Sequence, residues 1–159
     1  MMRKTPKPRN CGTMTEAAFR SWVIASVRTQ SIRWKPRAAC IKAVRVGKRN
    51  NPETGRLCFF GACAICGEEY RERDLQADHK EPVVNPETGW TNWDDYIARL
   101  FIEVDGYQAL CPGCHEAKTK HEGKVRTAVR RGEEIPEQET VETVESLMKN
   151  AAAAMEKKQ

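Results

Sequence analysis

No apolar run in this 159-residue chain approaches the roughly 20 residues that a membrane-crossing helix needs, so no such helix is expected. Behind the charged opening MMRKTPKPRN stands no apolar stretch, so a secretory signal is not expected either. Seven cysteines are an odd number, and the chain is long for a disulfide scaffold. A closed disulfide framework is therefore set aside for reduced thiols and a cytoplasmic setting. Histidine is scarce: His79, His115 and His121 are the only three. Acids are nearly missing from the first third. Residues 1–57 hold 14 Lys and Arg but only two acids, Glu16 and Glu53, for a net charge of +12, and the remainder nets −7. So one-sided a segment suits the phosphate backbone of a nucleic acid. A solvated basic tail is the bland alternative.

What is present concentrates between residues 63 and 121. Two Cys-x-x-Cys pairs stand there, Cys63/Cys66 and Cys111/Cys114, and all three histidines lie there too. A two-residue gap lets both sulfurs of a knuckle face one ion, and two knuckles complete the tetrahedron that zinc prefers. The expectation is a structural zinc site on Cys63, Cys66, Cys111 and Cys114, with no open position for chemistry. Cys11, Cys40 and Cys58 fall off this spacing and read as ordinary thiols. Asp78 and His79 close a short strand expected at 75–78. His115 follows Cys114 directly, at the start of a helix that Pro112 opens. Two knuckles on one ion would bring the Asp78-His79 segment close to His115.

The runs CAIC, ADHKEPV and LCPGCHEAKT in this order resemble the HNH endonuclease family, whose core is a ββα-metal unit. The resemblance covers about residues 63–122. The flanking runs TNWDDYIARLF and RTQSIRWKPR are similar, more loosely, to those of short phage-encoded HNH proteins. The resemblance implies His79 as general base, and Asp78 and His115 as ligands of one divalent cation, Mg²⁺ or Mn²⁺. Hydrolysis of a phosphodiester needs a deprotonated water and a cation against the developing charge, and a neutral imidazole suits the proton transfer near pH 7. Neighbouring strand residues point to opposite faces, so Asp78 and His79 would need a strand end to serve one site. One position departs from the family: Gly106 stands where a middle asparagine is usual, with Asp105 or Gln108 as substitutes. That change puts loop rigidity and rate in doubt more than cation binding.

The fold class read from these signals is α+β, a zinc-bound ββα core with helical extensions at both ends. Residues 1–57 would form a basic helical DNA-binding extension, 58–122 the core with an inserted helix at 92–102, and 123–159 a C-terminal helical extension. Residues 1–12 read as disordered. Thr13 and Glu16 fit a capping box for a helix at 14–30, and a second helix is expected at 36–46, with Ala39, Cys40, Ala43 and Val44 inward. The pentapeptide NPETG occurs twice, at 51–55 and 85–89, as two similar turns. Strands are expected at 57–62 and 106–110. In the insert, Trp93, Tyr96, Ile97, Leu100 and Phe101 form one apolar stripe behind the cap Asn92. A metal-side helix is expected at 112–122, continuing or restarting after Gly123, and a thin-striped helix runs from Val141 toward Met155. Arg28, Arg33, Lys35 and Arg37 are candidate phosphate contacts. Lys118 and Lys120 follow His115 as phosphate anchors would, or as solvated lysines.

The activity so implied is a divalent-metal-dependent DNA endonuclease that nicks or cuts duplex DNA in the cytoplasm of a bacterial host. Zn²⁺ would be the structural ion and Mg²⁺ or Mn²⁺ the catalytic one, with DNA as partner, no membrane, and a phage or host protein as a further partner. A zinc-stabilised DNA-binding module without catalysis is the alternative. It needs the four cysteines but not Asp78, His79 and His115.

Overall fold

The computed structural model describes residues 5–135. The helix expected from Val141 toward Met155 lies outside the described residues. The chain divides into two compact units, Met1–Trp34 and Lys35–Gln159. Residues 35–57, grouped with the N-terminal extension in the sequence reading, belong to the second unit.

In the first unit, helix α1 spans Glu16–Ser31. Its cap is Thr15, whose hydroxyl accepts from the Ala18 amide at 3.1 Å. The capping box expected at Thr13 and Glu16 does not form. Thr13 instead donates to the Asn10 carbonyl at 2.6 Å, and Glu16 pairs with Arg9 at 2.8 Å. Nor are all of residues 1–12 without order: Arg9 and Met14 exchange two backbone hydrogen bonds, at 3.1 and 3.2 Å, across a tight turn.

The second unit is mixed helix and small sheets, the α+β class expected. Helix α2 spans Lys35–Ala43 and stops short of residue 46, because the chain turns into strand β1, Arg45–Asn50. Every β1 side chain is exposed, so the alternation that betrays a half-buried strand is missing from RVGKRN. The strand owes its shape to backbone pairing with β2, Leu57–Ala62, with a bulge between Arg45 and Gly47. On α2 the inward residues are Cys40 and, less deeply, Arg37 and Ile41, with Val44 half-buried just past its end, while Ala39 and Ala43 face out. The first NPETG joins β1 to β2, with Asn51 accepting the Gly55 amide at 2.8 Å and Gly55 at φ +68°. The second closes alike, with the Gly89 amide on Asn85 at 2.9 Å and Gly89 at φ +75°. Two similar turns were expected, and two form. Strand β3, Glu69–Arg71, completes a three-stranded sheet in the order β1-β2-β3.

The second sheet is a two-stranded antiparallel ribbon of β4, Gln76–His79, and β5, Tyr107–Leu110. Ala77 faces Ala109, Asp78 faces Gln108, and His79 faces Tyr107. Pairing runs one residue past His79, since the Lys80 amide donates to the Gly106 carbonyl at 2.9 Å. Between the strands lies helix α3, Trp93–Leu100, capped as expected by Asn92, which accepts from the Asp95 amide at 2.9 Å. Its apolar stripe is narrower than expected: Tyr96 and Leu100 are buried, but Ile97 is 44% exposed. Helix α4 runs unbroken over Pro112–Arg131 and ends on Gly132 in the left-handed conformation. A helix-interior glycine costs about 1 kcal/mol. Here Val125 and Ala128 are buried beyond it, so packing carries the helix past Gly123. The core joins Cys63, Leu75, Leu110, Cys111 and Cys114, flanked by Ile41, Val44, Ile65 and Tyr70.

Gly106 has a packing reason. A Cβ there would stand 2.6 Å from Ile102 Cδ1 and 3.2 Å from Ile102 Cβ. Gly106→Ala is expected to cost about 1–3 kcal/mol in urea denaturation, the usual toll of overpacking. An unchanged midpoint would show that Ile102 swings aside.

Candidate metal centre

The first knuckle is a turn closed by its own backbone. The Gly67 amide donates to the Cys63 carbonyl at 3.0 Å, and Gly67 takes φ +72°. The Cys63 amide donates to the Glu68 carbonyl at 2.9 Å, and the Ala64 amide reaches the Ala109 carbonyl at 2.8 Å. That last bond ties the knuckle to β5. The second knuckle is the first turn of α4, where Cys111 is the cap and its sulfur accepts from the Cys114 amide at 3.4 Å. Four sulfurs thus converge: those of Cys63, Cys66, Cys111 and Cys114 lie within 4.8 Å of one another.

The donor set fits a structural metal such as zinc. With Zn–S bonds of 2.3 Å, a tetrahedron places its sulfurs about 3.8 Å apart; Cys66 and Cys111 Sγ are 4.0 Å apart. Cys63, Cys111 and Cys114 are buried, and Cys66 is half-buried. Burial works to raise the Cys63 thiol, but the amides of Cys111, Cys66 and Ile65 outweigh it and bring it down to about 7. Burial, then the neighbouring Cys63, push the Cys66 thiol up. Burial, followed by Cys111 and Cys63, does the same to Cys114. Crowded thiols resist losing their protons together unless a cation takes the protons' place. Cys11, Cys40 and Cys58 stay outside the cluster, as expected.

Beside this cluster, on the face of the ribbon toward α4, sit two of the three residues singled out for chemistry. Asp78 Oδ1 lies 3.6 Å from His115 Nε2. His115 is 36% exposed and Asp78 16%, so the pair meets water mainly through the imidazole. Gln108, directly across the ribbon, donates from Nε2 to Asp78 Oδ2 at 3.2 Å. Of the two substitutes considered for the missing asparagine, Gln108 is the one hydrogen-bonded to Asp78.

His79 is placed differently. Strand alternation turns it to the opposite face of the ribbon, against the Tyr107 ring at 4.7 Å between centroids. Its Nε2 stands 3.1 Å from the Leu100 carbonyl at the end of α3. A carbonyl only accepts, so Nε2 carries the proton and Nδ1 the lone pair. The Tyr107 hydroxyl donates to the same carbonyl at 3.2 Å. Since pairing continues through Lys80, the backbone does not turn between Asp78 and His79, and the two side chains do not converge. Burial first, then the nearby Arg37 and Lys118 charges, lower the His79 imidazole, only partly offset by the Leu100 carbonyl and Asp78.

The basic candidates divide as well. Arg28, in the last turn of α1, and Arg33 just beyond it are exposed. Lys35 is exposed, whereas Arg37 is half-buried with its guanidinium 5.6 Å from the Tyr107 ring centre. Lys120 is 69% exposed and pairs with Glu116 at 2.7 Å. Lys118 is drawn into the site, with its ammonium 2.7 Å from Asp78 Oδ2. Sequence reasoning missed Glu122, which reaches the same ammonium at 3.0 Å; the Lys118/Glu122 spacing of four on one helix was the available signal. His121 is not part of the cysteine cluster. No helix among the described residues is long and apolar enough to cross a membrane. No family model, no curated protein and no solved structure matches the chain.

Two outcomes follow. Cys66→Ser removes one of four ligands and is expected to release the metal and unfold the core, read by metal analysis and circular dichroism. Structural zinc is worth on the order of 10–16 kcal/mol in small peptide sites, so a folded, metal-free variant would contradict the assignment. For His79, the ring titration followed by NMR without added Mg²⁺ or Mn²⁺ should have its midpoint below the ordinary histidine value of about 6.5. A lowered value means that the neutral, lone-pair form persists as pH falls from 7. A midpoint above that value would mean that His79 is not desolvated.

Proposed function

We propose that the chain is an HNH-type endonuclease: β4, β5 and α4 form its ββα-metal unit, zinc holds the four cysteines, and DNA is cut with the help of Mg²⁺ or Mn²⁺. The observation that carries this reading is the Asp78–His115 pair, 3.6 Å apart, where β4 meets α4 beside the sulfur cluster. A carboxylate beside an imidazole that reaches water is a donor set that suits a divalent cation, and Asp78 and His115 would hold it. Bound there, the ion would neutralise charge that builds on the phosphodiester.

The remaining roles fall to side chains of the chain itself. His79 supplies a lone pair at Nδ1 while Nε2 is steadied on the Leu100 carbonyl. Its lowered affinity for protons keeps that lone pair free at pH 7. Gln108 braces Asp78 from across the ribbon. Arg28, Arg33, Lys35 and Arg37 would contact DNA phosphates and orient the duplex without reading its sequence.

The zinc-stabilised DNA-binding module without catalysis is favoured by one observation. His79 is half-buried on the face of the ribbon away from Asp78. As base, it would have to act from the ribbon's edge at the strand end.

The test is cleavage of supercoiled plasmid with Mg²⁺, Mn²⁺ or EDTA, run on wild type and two variants. His79→Ala is expected to slow cleavage by roughly 10²–10⁴-fold, the usual range for a lost general base, with cation binding unchanged. His115→Ala is expected to weaken cation binding as well as turnover, and added Mn²⁺ should recover part of its activity but none of that of His79→Ala. Wild-type rates in His79→Ala would transfer the reading to the binding module.

A further inference from the structure

Lys118 is held by three acceptors. Its Nζ lies 2.7 Å from Asp78 Oδ2, 3.0 Å from Glu122 Oε1 and 2.7 Å from the His79 carbonyl oxygen. An ammonium has three N–H groups and no more, so each donor has its partner. The side chain is only 20% exposed, as are Asp78 at 16% and Glu122 at 21%. Such a lysine has no donor left for a phosphate. This is the opposite of Lys120, two residues on, which lies open to solvent.

The arrangement divides one carboxylate between two partners. His115 and Lys118 are three residues apart on α4 and so share a helix face. Asp78 Oδ1 faces His115, while Oδ2 takes Lys118 and the Gln108 amide. The third bond, to the His79 carbonyl, ties the same ammonium to the end of β4. Lys118 therefore fixes which oxygen of Asp78 stays free. It also sets a resident positive charge against any cation that Oδ1 and His115 would hold.

We infer that Lys118 is a positioning residue and built-in counter-charge of the Asp78–His115 site, which braces Asp78 and weakens its hold on a divalent cation, and that it is not a phosphate anchor. This rests on the cation reading of that site. The inference fixes a sign. A merely structural lysine would, on removal, leave the cation affinity unchanged or lower it. A counter-charge would raise it.

The experiment uses the full-length, zinc-loaded protein and its Lys118→Met variant. Mn²⁺ binding is measured by calorimetry without DNA, and duplex DNA binding is measured against salt concentration without Mn²⁺. Loss of one charge a few ångströms from a divalent ion should tighten Mn²⁺ binding on the order of tenfold. The salt slope of DNA binding should not change, since no phosphate contact is lost. Lys118→Gln, which keeps an amide donor without the charge, carries the same expectation if the methionine variant does not fold. Mn²⁺ affinity unchanged or weaker in the variants overturns the inference. So does a salt slope reduced by about one, the mark of a lost phosphate contact. If wild type binds Mn²⁺, and His115→Ala weakens that binding while the Lys118 variants leave it alone, only this inference falls. If wild type binds no Mn²⁺, the cation reading falls and takes this inference with it.

Discussion

Four sulfurs within 4.8 Å of one another bring together two stretches of chain more than forty residues apart, and a metal bound there would hold them. Cys63 and Cys66 cap the first sheet, and Cys111 and Cys114 start α4. The fully or nearly fully buried side chains Leu110, Cys111 and Cys114 belong to this junction, so its sulfurs are part of the core itself. A small unit has limited apolar area to bury, and a metal can supply what packing does not. The ribbon is docked to the knuckle by the bond from Ala64 to Ala109, and α4 begins on a cysteine of the cluster. Asp78 and His115 meet where the sulfur cluster sets the ribbon beside the start of the helix.

The clamp also explains what was legible in the chain. Paired Cys-x-x-Cys spacing has few other physical uses, so the cluster, the start of α4 and the nearness of Asp78 to His115 were readable. The cap Asn92 and both NPETG turns were readable too, since each is decided by local hydrogen bonds. What was missed is decided elsewhere. Strand β1 carries no alternation, and its partner β2 makes it a strand. Thr15 is the cap rather than Thr13 because residues 9–14 close on themselves, with Thr13 bonded back to Asn10. The length of α4 past Gly123 depends on Val125 and Ala128 finding the core. Spacing on α4 offered Glu122 as a partner of Lys118 but said nothing of its other two acceptors, Asp78 and the His79 carbonyl, which come from β4.

The two faces of the β4–β5 ribbon are chemically distinct. Toward α4 lie Asp78, Gln108, His115 and Lys118, a polar group joined by direct contacts. On the other face lie His79 and Tyr107, both on the Leu100 carbonyl, with Arg37 over the Tyr107 ring. One face gathers charge and the other buries a neutral imidazole. Strand alternation produces both, since adjacent residues face opposite ways. The glycine at 106 belongs to the same design, because its missing Cβ lets Ile102 pack against the entry to β5.

The most direct test of this account is metal content together with amide hydrogen exchange at the clamp. The purified protein should carry one zinc per chain. A chelator should remove it and release the amides of Ala64, Leu110 and Cys114 together, because one ion would hold the knuckle, the ribbon and the helix start. Slow exchange at those amides in a zinc-free protein would contradict the claim that the metal clamp organises this fold.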